Sequence, residues 1–173
     1  MYIEQKNTKY LPFKLKAGKE YWFGDPCYVL GADHLWDRLC DVWFAEKDDA
    51  NNGIMVHDEG EWIFMTTAYG DGGYNATTKD GKHMNCGVDA GLLSCIPVEL
   101  INQLNPNYND NERGLGLTFT PEKDTYIYAN LGTRDGWNRK GFNWDGAINC
   151  VTDGSDDEEE DYYDDEDDEF SSE

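Results

Sequence analysis

Apolar and polar side chains alternate along much of this chain with the period of two that belongs to a half-buried strand. From Leu115 to Thr120 two leucines and a phenylalanine alternate with small or polar residues, and Thr125 to Leu131 repeats the pattern after a turn at Pro121. Pro12 to Lys16 and Glu20 to Phe23 flank Ala17-Gly18-Lys19, the composition of a hairpin turn. Glu61 to Tyr69 is rich in aromatics and threonine, which suit a pleated surface, and Phe142 to Val151 reads as the last strand. Two segments break the alternation. After Asp33, a residue suited to capping, Leu35, Trp36, Leu39, Val42 and Trp43 fall on one face of a 3.6-residue period. A shorter helix is expected from Pro97, with Leu100, Ile101 and Leu104 together, ending at Asn105-Pro106. The pattern predicts an α+β protein, mainly antiparallel sheet as a roll or sandwich with two short helices. Asn107 to Arg113 reads as an exposed loop.

This patterning stops near Val151. Residues 153–173 hold fourteen carboxylates, no Lys or Arg, and three aromatics. Repulsion within such a run adds to the entropy cost of ordering it, so a solvated, disordered tail is expected after a single domain of residues 1–152. The acidity is also general. Of 36 acidic residues in the whole chain, the 14 in the tail leave 22 against 14 basic ones in the body, a net charge of −8 there and −22 overall. Direct binding to duplex DNA is disfavoured, because phosphate neutralisation needs a basic face. A flexible polyanion suits the opposite role, occupying a basic groove that would otherwise hold nucleic acid. The residues carrying that role are Asp156, Asp157, Glu158, Glu159, Glu160, Asp161, Asp164, Asp165, Glu166, Asp167, Asp168 and Glu169.

The opening MYIEQKNTKY lacks an apolar signal-type region, and no run approaches the roughly 18 apolar residues of a membrane span. Five irregularly spaced cysteines fit small buried hydrophobes in a reducing cytoplasm, the host's if the source is viral.

Three motifs set an aspartate among glycines or beside a proline: Gly24-Asp25-Pro26-Cys27-Tyr28, Tyr69-Gly70-Asp71-Gly72-Gly73-Tyr74 and Gly87-Val88-Asp89-Ala90-Gly91. Singly, each is an ordinary turn. Asp89 stands among Val88, Ala90, Leu92 and Leu93, where a carboxylate is costly without a partner. Were Asp25, Asp71 and Asp89 to converge, they could hold a divalent cation or act as a general acid/base pair in a hydrolase or ligand-cleaving enzyme. No spacing rule requires this, and no cofactor is expected otherwise. Cys27 with His34, His57 or His83 is a weaker nucleophile candidate, a buried structural cysteine being commoner. His83 and Cys86 have no CxxC partner, so a zinc site is disfavoured.

In order and spacing these three motifs resemble small uncharacterised proteins of bacteriophages and bacteria, over roughly residues 20–100. The resemblance implies a mainly β fold and a phage or bacterial source; it implies no activity, and it does not account for the tail.

One further cluster joins basic and aromatic residues: Arg134, Trp137, Arg139, Lys140 and Trp144. Such groups can clamp and stack single-stranded nucleic acid or receive the acidic tail, whereas the simpler reading is a hairpin tip whose tryptophans turn inward. Asp167-Asp168-Glu169-Phe170 is similar to the acid-plus-Phe endings of single-strand-binding accessories, but Ser171, Ser172 and Glu173 follow it. The leading expectation is a phage-type host-interaction or inhibitor protein that binds a basic, nucleic-acid-binding partner. A cation-dependent hydrolase and a single-strand-binding accessory are the rivals.

Overall fold

A computed structural model describes residues 2–6, 12–31, 33–44, 52–106, 115–131, 140–142 and 146–153. Its strands are β1 (Ile3–Lys6), β2 (Pro12–Leu15), β3 (Tyr21–Gly24), β4 (Asn52–His57), β5 (Glu61–Thr66), β6 (Gly72–Thr78), β7 (His83–Val88), β8 (Leu92–Pro97), β9 (Leu117–Phe119), β10 (Thr125–Leu131), β11 (Lys140–Phe142) and β12 (Ile148–Val151). Two helices, α1 (Asp33–Phe44) and α2 (Val98–Leu104), complete an α+β architecture. The strands form two six-stranded antiparallel sheets. The first has the order β1-β4-β5-β8-β3-β9 and the second β2-β10-β11-β12-β6-β7.

Strand alternation gives the first sheet two buried faces. In β3, Tyr21 and Phe23 point into the core between the sheets, with Leu15, Ile127, Phe142 and Ile148. Trp22 points the other way, into a second core that the helices cover. In β5, Ile63 and Met65 face the other sheet while Trp62 and Phe64 face the helices. Leu35 and Leu39 of α1 and Val98, Leu100 and Ile101 of α2 fill this outer layer. The apolar period expected of α1 is therefore the stripe it buries; α2 begins one residue beyond Pro97, which still pairs with Tyr21.

The second sheet is buried on its inner face, and its outer positions alternate exposed or half-buried, as in the β6 residues Asn75 and Thr77. Phe142 to Val151, expected as one strand, is divided between β11 and β12. These pair antiparallel through Phe142 and Cys150, so the chain must reverse between them.

Candidate functional site

All three glycine–aspartate motifs lie at one end of the sandwich. Asp25 follows β3 and caps the short 3-10 turn Pro26–Tyr28, its Oδ1 accepting the Cys27 N–H at 2.9 Å. Its Oδ2 reaches the link between β7 and β8, where it accepts the N–H groups of Asp89 (2.8 Å) and Ala90 (2.7 Å). This carboxylate is fully buried. Burying it would cost several kcal/mol were its oxygens unpaired; three charge-assisted hydrogen bonds offset that. Because β7 belongs to the second sheet and β8 to the first, Asp25 also fastens the crossover between the sheets.

The second and third motifs join the same assembly. Tyr28 O–H donates to Asp89 Oδ2 at 2.9 Å, and burial together with that carboxylate pushes the phenol pKa up to about 12. Gly70 adopts a φ of +75°, and its carbonyl accepts from Thr67 Oγ1 at 2.7 Å and from the Tyr74 hydroxyl at 2.9 Å. Thr67 N–H in turn donates to the Gly91 carbonyl at 3.0 Å. Gly72 pairs with Val88, so the ladder brings Asp71 and Asp89 to its neighbouring ends. Gly24 serves a different need: a Cβ there would lie 2.5 Å from the Trp22 ring.

Asp25, Asp71 and Asp89 thus share one end of the molecule in unlike settings. Asp25 is enclosed by backbone donors, whereas Asp71 and Asp89 are exposed. Among its apolar neighbours Asp89 is expected to need a partner, and the Tyr28 hydroxyl is one; the residue itself sits exposed in the turn after β7, where Val88 and Leu92 are buried and it is not. Among the described residues no group of three or more His, Cys, Asp or Glu side chains could hold a metal ion.

Cys27 is half-buried, and burial followed by the nearby Asp25 charge raises its thiol pKa far above neutrality. The thiol therefore stays protonated, which is unfavourable for a nucleophile. The histidines lie elsewhere. His57 Nε2 accepts from Trp62 Nε1 at 2.9 Å in the helix-covered layer, His34 is exposed on α1, and His83 opens β7 at the end away from Asp89.

The chain leaves its last strand at this same end. Thr152 is buried; its N–H and hydroxyl both donate to the Lys140 carbonyl, at 2.8 and 2.9 Å, and its Oγ1 accepts from Ala68 N–H at 3.2 Å. Asp153 Oδ2 accepts the Lys140 N–H at 2.8 Å, and its carbonyl accepts from Tyr69 O–H at 3.1 Å. Lys140 Nζ donates to Thr66 Oγ1 at 2.9 Å, and burial lowers the ammonium pKa despite the opposing influence of Asp153. The pattern of single residues gave no sign of this clasp, which depends on threonines and backbone groups distant in sequence. Arg134, Trp137, Arg139 and Trp144, and residues 154–173, lie outside the described residues.

Two of the concavities among the described residues lie away from the three aspartates. One of about 290 Å³ lies between the turn after β6 and the turn before β10; the other, about 480 Å³, lies beside β2. Among the described residues no helix is long and apolar enough to cross a membrane. In comparisons with known proteins the chain matches no family model, no curated protein and no solved structure.

Proposed function

We propose that this protein acts by binding, as a phage-type host-interaction or inhibitor protein whose polyanionic C-terminal segment competes for the nucleic-acid site of a basic cytoplasmic partner. The observation carrying this reading is the density of charge: fourteen carboxylates and no basic residue over residues 153–173. An extended chain advances about 3.3 Å per residue, which puts a charge roughly every 5 Å and approaches the linear density of single-stranded nucleic acid. A basic groove gains counterion release from either polyanion. The clasp around Thr152 and Asp153 supports the reading, since it roots the segment next to the exposed Asp71 and Asp89 and extends its negative charge onto the body. The engaged carboxylate of Asp25 and the protonated thiol of Cys27 favour binding over catalysis at this end.

The test is displacement of a labelled single-stranded oligonucleotide from a basic nucleic-acid-binding protein of the host, measured across a salt series. The full chain should displace it with a steep salt dependence. Asn and Gln at the twelve acidic positions between Asp156 and Glu169 should abolish displacement, while Phe170→Ala should change it little. A salt slope near zero, or undiminished displacement by the neutralised chain, would overturn the proposal.

A further inference from the structure

The outer face of the second sheet is free of strand carboxylates: its six strands contain no Asp or Glu, whereas the first sheet carries Glu4 on β1 and Glu61 on β5. Both helices pack on the other sheet, and among the described residues no helix or strand covers this face.

The register shows what this face carries. Asn75 pairs with Asn85 across β6 and β7, and Asn149 pairs with Thr77 across β12 and β6. On β10, Tyr126 and Tyr128 point outward with ring centroids 6.3 Å apart, and Tyr126 is 42% exposed. Asn85 Nδ2 donates to Asn75 Oδ1 at 3.0 Å, which fixes the two amides and leaves each with further hydrogen-bonding capacity. Gly73 makes room for this pair: a Cβ there would come within 2.4 Å of Asn85 Oδ1. The Asn149 amide oxygen is shielded from water and has no hydrogen-bond partner.

Charge complementarity selects the occupant. A phosphate backbone needs cations, and among the described outward positions the lysine is Lys14, which is ion-paired with Asp124 at 3.5 Å; Lys140 shares the inward side of β11 with Phe142 and reaches Thr66 of the first sheet. A neutral polyhydroxyl ligand asks for what is present, namely aromatic rings against which its C–H faces can stack and amides that both donate and accept towards its hydroxyls. From Tyr126 on β10 to Asn85 on β7 the face crosses four strand spacings, or about 19 Å, longer than one sugar ring.

We infer that the outer face of the second sheet binds a neutral oligosaccharide chain, stacked on Tyr126 and hydrogen-bonded by Asn75, Thr77 and Asn85. This site is separate from the acidic segment and does not depend on its proposed role. Titration of the full chain with linear neutral hexasaccharides of glucose, mannose, xylose and N-acetylglucosamine tests it, with a twelve-residue oligothymidylate as the anionic comparison. At least one hexasaccharide should bind with an affinity insensitive to salt. Tyr126→Ala should weaken that binding at least tenfold and Tyr126→Phe, which keeps the ring, by no more than about threefold. Thermal unfolding of both variants should match the parent, since Tyr126 is exposed. Absence of binding to all four sugars, binding unaffected by Tyr126→Ala, or binding of the oligothymidylate alone would each overturn the inference. So would self-association that Tyr126→Ala abolishes, because it would give the face to a second copy.

Discussion

The two buried layers on either side of the first sheet differ in what fills them. The layer between the sheets is built from Phe, Leu and Ile with small residues and three cysteines, Cys86, Cys95 and Cys150. Burial raises all three thiol pKa values, that of Cys86 to about 12, so these groups stay uncharged and act as small apolar side chains. The helix-covered layer is richer in tryptophan and, among the described residues, encloses an imidazole, His57, whose pKa burial lowers from the usual histidine value. The inner-layer thiols thus stay neutral, whereas the outer layer loses stability when His57 must take up a proton as pH falls. Strands of the first sheet connect them, because consecutive residues of β3, and likewise of β5, serve opposite layers.

The sharpest test of that connection is a pair of substitutions on β3. Trp22→Ala and Phe23→Ala should each lower stability by roughly 3–5 kcal/mol, the usual cost of removing a fully buried aromatic ring. Denaturant unfolding followed by fluorescence and by far-UV circular dichroism should remain a single coincident transition in both. Separate transitions would show that the layers unfold independently. Asp25→Ala comes next, at about 3 kcal/mol, because it leaves three backbone N–H groups, one in the turn after β3 and two in the crossover, without their acceptor. Hydrogen exchange at Cys27, Asp89 and Ala90 should accelerate in this variant; unchanged protection would mean that water or another group replaces the carboxylate.

A smaller effect separates the layers by pH. Burial lowers the His57 pKa below its usual value, with the Asp58 and Glu59 charges opposing the shift. The unfolded chain then binds the proton more readily than the folded one, so stability is complete above the unfolded value of about 6.5 and declines as pH falls through it. Melting temperatures between pH 7.5 and 5.5 should show that decline, and His57→Gln should flatten it; an equal slope in both proteins would place the sensitivity elsewhere. The smallest change is expected from Phe44→Ser at the exposed end of α1, within about 0.5 kcal/mol, since the ring is 65% exposed. A larger loss would show that its stacking on Trp43 supports the outer layer.

Much of this division could be read along the chain, and its failures have physical causes. The stripe from Leu35 to Trp43 has one period and one buried face, so α1 was legible, as were β3 and β10 from their apolar and aromatic residues. The strands β6 and β7 were not, because Gly72, Gly73, Asn75 and Asn85 have turn-like propensities and become strand through pairing. Leu92 to Pro97 was obscure for the opposite reason: every residue of β8 is buried, so no polar face marks its period. At the motif end, the gathering of the three aspartates required knowledge of which strands are neighbours. Neither glycines nor spacing could show that Asp25 turns inward while Asp71 and Asp89 face water.

The attachment of the acidic segment also has a mechanical side. It follows β12, which is an interior strand with β11 on one flank and β6 on the other, and Thr152 and Asp153 add hydrogen bonds to Lys140 and Ala68 beyond the last pair. Tension applied from the C-terminus therefore loads two ladders and a clasp together, so that peeling from a free edge is not available. A partner or an unfolding motor pulling on the segment would meet its greatest resistance at Thr152 and Asp153, and release of β12 would open the second sheet through its middle.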